Sequence, residues 1–143
     1  MDDIDERLAA ISDCLYRVTA KVIVVQKHRI LATIEPAGKY GFPGGGIEYG
    51  EDIPAVLARE LAEEVGLKPS DITIETQPAF VSTGGVTNGV PKLALFYKAE
   101  LHNPSALQHM ERRYEWLDAH QLHDVTLGNS VKNARAFLLS VLD

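Results

Sequence analysis

Cysteine is almost missing from this chain: Cys14 is the single one in 143 residues. That excludes an internal disulfide and makes a reducing compartment the simpler expectation. No histidine-containing motif accompanies Cys14, so it reads as a packing residue and not as a nucleophilic thiol. Long hydrophobic runs are missing too. The longest aliphatic stretch, Val22 to Val25, is far below the ~20 residues of a membrane span. The N-terminus opens on Asp2 and Asp3, not on a basic segment, which argues against a secretory signal; a cytoplasmic protein is the expectation. An excess of positive charge is also lacking. Twenty acidic against fourteen basic residues give −6, which argues against a nucleic-acid polymer as the main partner. A small anionic ligand stays acceptable if a cation screens an acidic site. His28, His102, His109, His120 and His123 have no metal-ligand spacing and no serine partner set, so they read as solvated turn and loop residues. There is no internal repeat, low-complexity tract or linker, and the length suits one domain over 1–143.

What the chain does have is concentrated between Gly45 and Leu67, in GGIEYGEDIPAVLARELAEEVGL. A glycine-rich loop runs there into a helix, with Ile53, Leu57, Leu61 and Val65 four apart as its apolar stripe. Glu60 and Glu64, also four apart, flank that stripe, and Glu63 lies just beyond them. Like charges at this spacing, near a helix C-terminus, oppose both one another and the macrodipole by a few tenths of a kcal/mol. Two readings of these residues stay open. One is a solvated glutamate-rich face in which Arg59 pairs with Glu63. The other is a hard-cation site, since oxygen ligands are what Mg²⁺ or Mn²⁺ takes.

Gly45, Glu51, Arg59, Glu60, Leu61, Glu63, Glu64, Gly66 and Leu67 fill every fixed position of G-x5-E-x7-R-E-U-x-E-E-x-G-U, where U is aliphatic. The stretch therefore resembles the Nudix box, and Phe42-Pro43-Gly44 resembles the lead-in usual in that family. The resemblance implies a Nudix-like α/β/α sandwich around a central mixed sheet, and metal-dependent hydrolysis of a diphosphate linkage in a nucleoside diphosphate-X substrate. It implies Mg²⁺ (or Mn²⁺) held by Glu60, Glu64 and the Gly44 backbone carbonyl. Arg59 would orient the carboxylates, Glu63 would be a further ligand or proton acceptor, and Gly45 and Gly46 would let substrate approach the main chain. Some members recruit a glutamate ahead of a late tryptophan. Here Glu111 or Glu115, both before Trp116, answers to it, or they are surface charges at a strand start. Asn129 resembles a purine-reading asparagine of other members and equally suits a helix N-cap.

Substrate markers are mostly negative. The SQPWPxPxS array of NADH pyrophosphatases and the coenzyme A signature are absent. So are the proline and tyrosine that mark ADP-ribose and diadenosine polyphosphate enzymes near Ser82 to Gly84. A MutT-like nucleoside triphosphate pyrophosphohydrolase is left as the first expectation. The alternatives are an ADP-ribose or nucleotide-sugar pyrophosphatase, or a non-catalytic nucleotide-binding regulatory module. An isomerase of related fold would need a cysteine motif not found around Cys14. The expected partner is a small nucleotide, and homodimers are common in the family.

In chain order, residues 2–16 have helical spacing; 18–26, 30–35, 72–75, 79–82, 92–101 and 113–117 read as strands. Pro36 to Gly50, with two prolines and six glycines, reads as loop. Glu51 and Asp52 start the box helix and Gly66 ends it. Thr83 to Pro91 reads as a flexible hairpin connection, 119–122 as a short helical piece, and 130–142 as the closing helix capped by Asn129 or Ser130. This is an α/β (α+β) pattern.

Overall fold

The computed structural model describes residues 15–143. Strand β1 (Arg17–Gln26) is the spine of the sheet. Its run of β-branched residues pairs in parallel with β7 (Val90–Leu101), from Arg17 opposite Lys92 to Val24 opposite Ala99. At its far end a tight turn, with Lys27 and His28 at positive φ, leads into the antiparallel β2 (Arg29–Ile34). β3 (Tyr40–Gly41) and β8 (Arg113–Leu117) flank β2. β4 (Gly44–Gly46) lies along the first half of β1, while β5 (Ile72–Ile74) and β6 (Phe80–Thr87) both pair with β7. One parallel pair among antiparallel ones makes the sheet mixed, as expected.

Two layers cover it. The box helix α1 (Ile53–Val65) buries Leu57, Leu61 and Val65 against Ala20, Val22, Val24 and Leu31. On the other face α2 (Ala119–Asp124) and α3 (Arg135–Ser140) pack Leu122, Phe137 and Leu138 over Ile23, Phe42 and Phe96. β1 thus sends Ala20, Val22 and Val24 to the box helix and Ile23, on its other face, to the C-terminal layer. Among the described residues no helix is long and apolar enough to cross a membrane.

Four expectations change. The glycine-rich loop 36–50 contains β3 and β4, because three consecutive glycines pair with β1 through backbone groups alone, with no need of side chains. The flexible connection 83–91 is a paired hairpin: strands continue to Thr87 and from Val90, and only Asn88-Gly89 turn, both at positive φ. Gly84-Gly85 falls where the β6–β7 register shifts. The closing helix is only Arg135–Ser140 with Ala134 at its N-cap, because Asn129 and Asn133 spend their side chains on that hairpin. Glu51 and Asp52 precede α1 without an acid in its first turn, and Asp52 makes no side-chain capping bond. The helix expected over 2–16, and Cys14 within it, lie outside the described residues except for Leu15 and Tyr16, which are irregular and exposed.

Leu61 is 1% exposed at the centre of the helix–sheet contact. Leu61→Ala is expected to lower unfolding stability by about 2–5 kcal/mol, read from urea denaturation; a loss below ~1 kcal/mol contradicts this packing.

Candidate active site

The geometry of the site starts at Gly44. Its φ of +140° and a backbone so close that any Cβ would overlap the Ala20 carbonyl oxygen leave room for glycine alone. There β4 pairs closely with β1, and the Gly44 N–H donates to Glu64 Oε1 at 2.8 Å. Glu64 is thereby drawn in to 6% exposure, with Arg112 Nε 3.6 Å from its other oxygen. Burial pushes its carboxyl up to about 7, against the opposing pull of the Gly44 N–H, Lys21 and Arg112. Next along, Gly45 lies under Glu60, where a Cβ would sit 2.6 Å from the carboxyl carbon. Glu60 is also raised, by burial first, partly offset by Arg59.

Arg59 reaches three carboxylates: Glu60 at 3.2 Å, Glu51 at 3.3 Å and Glu63 at 3.9 Å. Glu51 in turn accepts from the Glu48 N–H at 2.8 Å, which closes the loop into the helix. Glu63 itself is 44% exposed at the rim. At the other end, Gly66 stops α1 in the left-handed conformation. The segment 108–112 then folds onto the helix end. Gln108, Glu111 and Arg112 donate N–H bonds to the carbonyls of Val65, Glu63 and Glu64.

That docking separates the two late glutamates. Glu111 comes close enough for its charge to bear on Glu60. Glu115 points to the opposite face of β8, as Arg113 and Leu117 do, and accepts from the Tyr40 hydroxyl at 2.9 Å. Asn129 is not gathered with the carboxylates. Its amide nitrogen donates to Thr87 Oγ1 at 2.9 Å and to the Val86 carbonyl at 3.3 Å. Of the aromatic side chains, Phe42, Phe96 and Tyr97 are core; Phe80 stacks on Phe137 at 4.2 Å, and Tyr49 is fully exposed.

Sequence reasoning passed over Lys21 and Arg112. Lys21 sits in β1 opposite Gly44 and is half-buried. Burial lowers its ammonium, against the raising influence of Glu64, Glu35 and Glu60. A lysine inside the otherwise apolar AKVIVV of a strand was the available signal. Arg112 had none, since its place depends on how 108–112 docks.

The NUDIX domain matches residues 8–139. The chain belongs to the Nudix family. A Mycobacterium tuberculosis protein named "Putative 8-oxo-dGTP diphosphatase 2" is 38% identical over 106 residues, 73% of this chain and 69% of that one. Among solved structures, the MutT protein of Methanosarcina mazei superposes with a TM-score of 0.71 at 16% identity, covering 93% of this chain and 96% of that one. The Caenorhabditis elegans Ap4A hydrolase gives 0.70 at 20% identity, covering 87% and 93%. These two show the fold, and the expected Nudix α/β sandwich is the one observed. The chain is a Nudix hydrolase.

Glu64 carries a pH signature. Its folded carboxyl lies above the ordinary value near 4.5, so the folded protein holds a proton that the unfolded chain releases. Stability from this group is present below about pH 4.5 and is lost as pH rises through about 7. In metal-free protein, Tm measured with a chelator is expected to fall between pH 5 and 8, and Glu64→Gln to flatten that fall. A Glu64→Gln protein that melts well below wild type at pH 8 contradicts the strain assigned to the buried charge.

Proposed function

We propose that this Nudix hydrolase is a divalent-metal-dependent nucleoside triphosphate pyrophosphohydrolase, adding water across a diphosphate linkage to release a nucleoside monophosphate and pyrophosphate. The observation that carries the reading is the seating of two glutamates of one helix, Glu60 and Glu64, on the glycine edge Gly44–Gly45. The relative named for 8-oxo-dGTP supports a nucleoside triphosphate as the first substrate class to try.

The donor chemistry fits Mg²⁺ or Mn²⁺. Glu64 is a buried carboxylate whose raised pKa expresses uncompensated burial, and Glu60 shares that condition. As placed, no three Asp, Glu, His or Cys side chains among the described residues come together closely enough to hold a metal. Arg59 draws Glu60 and Glu63 toward itself, while Gly44 and Arg112 hold Glu64. Glu60, Glu64 and the Gly44 carbonyl would hold the cation, with Glu111 the nearer of the two late glutamates to join them. When bound, the cation supplies charge neutralisation on the diphosphate and acidifies a water.

The chain's own side chains do the rest. Exposed Glu63 takes the proton from the attacking water and hands it to solvent. Arg59 fixes the directions of Glu51, Glu60 and Glu63 with one planar group. Gly45 and Gly46, with no side chains, let the phosphates lie against the β4 backbone. Asn129 has its nitrogen engaged by the hairpin, which leaves its Oδ1 as the acceptor to offer a purine edge.

The test is incubation with Mg²⁺ or Mn²⁺ and a panel of nucleoside triphosphates, dinucleotides, ADP-ribose and nucleotide sugars, with products identified. Monophosphate and pyrophosphate are expected from a triphosphate. Binding without turnover would favour a regulatory module instead. Glu60→Gln and Glu64→Gln are expected to lower kcat by about 100-fold or more with the fold intact. Glu111→Gln should reduce turnover more than Glu115→Gln; the reverse order, measured side by side, overturns the preference for Glu111.

A further inference from the structure

Among the described residues, two polar side chains on one face of β1 lack hydrogen-bond and ion-pair partners. Thr19 is 7% exposed, and its Oγ1 is a buried polar atom with no hydrogen bond. An unmade bond in such a position calls for an explanation. Two residues on, Lys21 is half-buried, and its ammonium enters none of the ion pairs or side-chain hydrogen bonds among the described residues. Glu64, Glu35, Glu60 and Arg112 are the charged groups that bear on it, the three carboxylates from one side of the balance and Arg112 from the other.

The sheet register places the pair. Lys21 is level with Phe96 of β7 and Phe80 of β6, and opposite Gly44 of β4. Thr19 is level with Ala94 and Ser82, and opposite Gly46. Gly85 follows on β6, and its N–H donates to the Asn129 carbonyl at 2.8 Å. Both side chains lie on the face shared by Ile23, Ala94 and Phe96, opposite the face packed by the box helix. A line therefore runs from Glu64 on Gly44, past Lys21 and Thr19, to Asn129. Same-face neighbours on a strand are about 7 Å apart, the scale of a phosphate and its nucleoside sugar.

We propose that Lys21 and Thr19 are substrate-binding residues: the Lys21 ammonium donates to a non-bridging phosphate oxygen, and the Thr19 hydroxyl bonds a polar group of the nucleoside. The assignment rests on the nucleotide reading above. It extends that reading from the carboxylates to the strand floor and gives the buried Thr19 hydroxyl its missing partner. Lysine suits the first role as a compact charge that meets phosphate without needing a fixed fork geometry.

The experiment compares wild type with Lys21→Met, Lys21→Arg, Thr19→Val and Thr19→Ser, using whichever panel nucleotide wild type handles, and its parent nucleoside. Lys21→Met is expected to raise KM about tenfold or more, with a smaller effect on kcat, and Lys21→Arg to recover most of it. By calorimetry with Mg²⁺, Lys21→Met should weaken the nucleotide and leave the nucleoside unchanged. Thr19→Val, which keeps shape and loses the hydroxyl, should weaken both about fivefold or more, and Thr19→Ser should restore them. If Lys21→Met does not fold, Lys21→Arg and the Thr19 pair still decide through the same titrations. Folded variants with wild-type KM and affinities sink this assignment while hydrolysis by wild type keeps the enzymatic reading. A wild type that neither turns over nor binds any of the panel ends both.

Discussion

A single hydrogen bond, from the Gly44 amide to the Glu64 carboxylate, ties the two halves of this site together. Its donor belongs to a strand of three glycines and its acceptor to the last turn of a helix. Glutamate in that turn opposes the helix dipole, and its burial costs free energy that the Gly44 N–H, Lys21 and Arg112 only partly offset. The raised carboxyl of Glu64 is the measure of that imbalance.

Around that bond each element has a local reason. The unbroken β1–β7 pairing supplies a rigid floor, and Leu57, Leu61 and Val65 fix the roll of α1 upon it. With that roll fixed, Glu60 and Glu64 necessarily face the β4 edge, while Glu63 remains outside on the tether of Arg59. The 108–112 segment answers the open carbonyls at the helix end, and in doing so brings Glu111 and Arg112 to the same place. Packing and charge placement are thus one arrangement and not two.

The opposite layer has its own logic. Asn129 and Asn133 hold the β6–β7 hairpin where its register shifts, which keeps 130–134 from joining the closing helix. Polar bonds to a neighbouring strand displaced the i→i−4 pattern that the apolar spacing of that segment favoured. The hairpin itself is paired further than a glycine-rich stretch suggests, because Asn88-Gly89 makes a two-residue turn whose twist matches its strands.

The linear sequence by itself determined the family, the box helix with its stripe and its carboxylates, and most strands, since each depends on spacing within one segment. It also determined that Arg59 stands beside Glu60 and Glu63, a matter of residues one and four apart on a helix. Only the tertiary structure placed Glu111 and Glu115 in different surroundings, because strand alternation and the docking of 108–112 send them to different faces. The same holds for Lys21 and Thr19, whose surroundings come from β4, β6 and β7, tens of residues away in sequence. Contacts between neighbours on a helix are written in the chain's period; contacts across a sheet exist only once the strands have found their register.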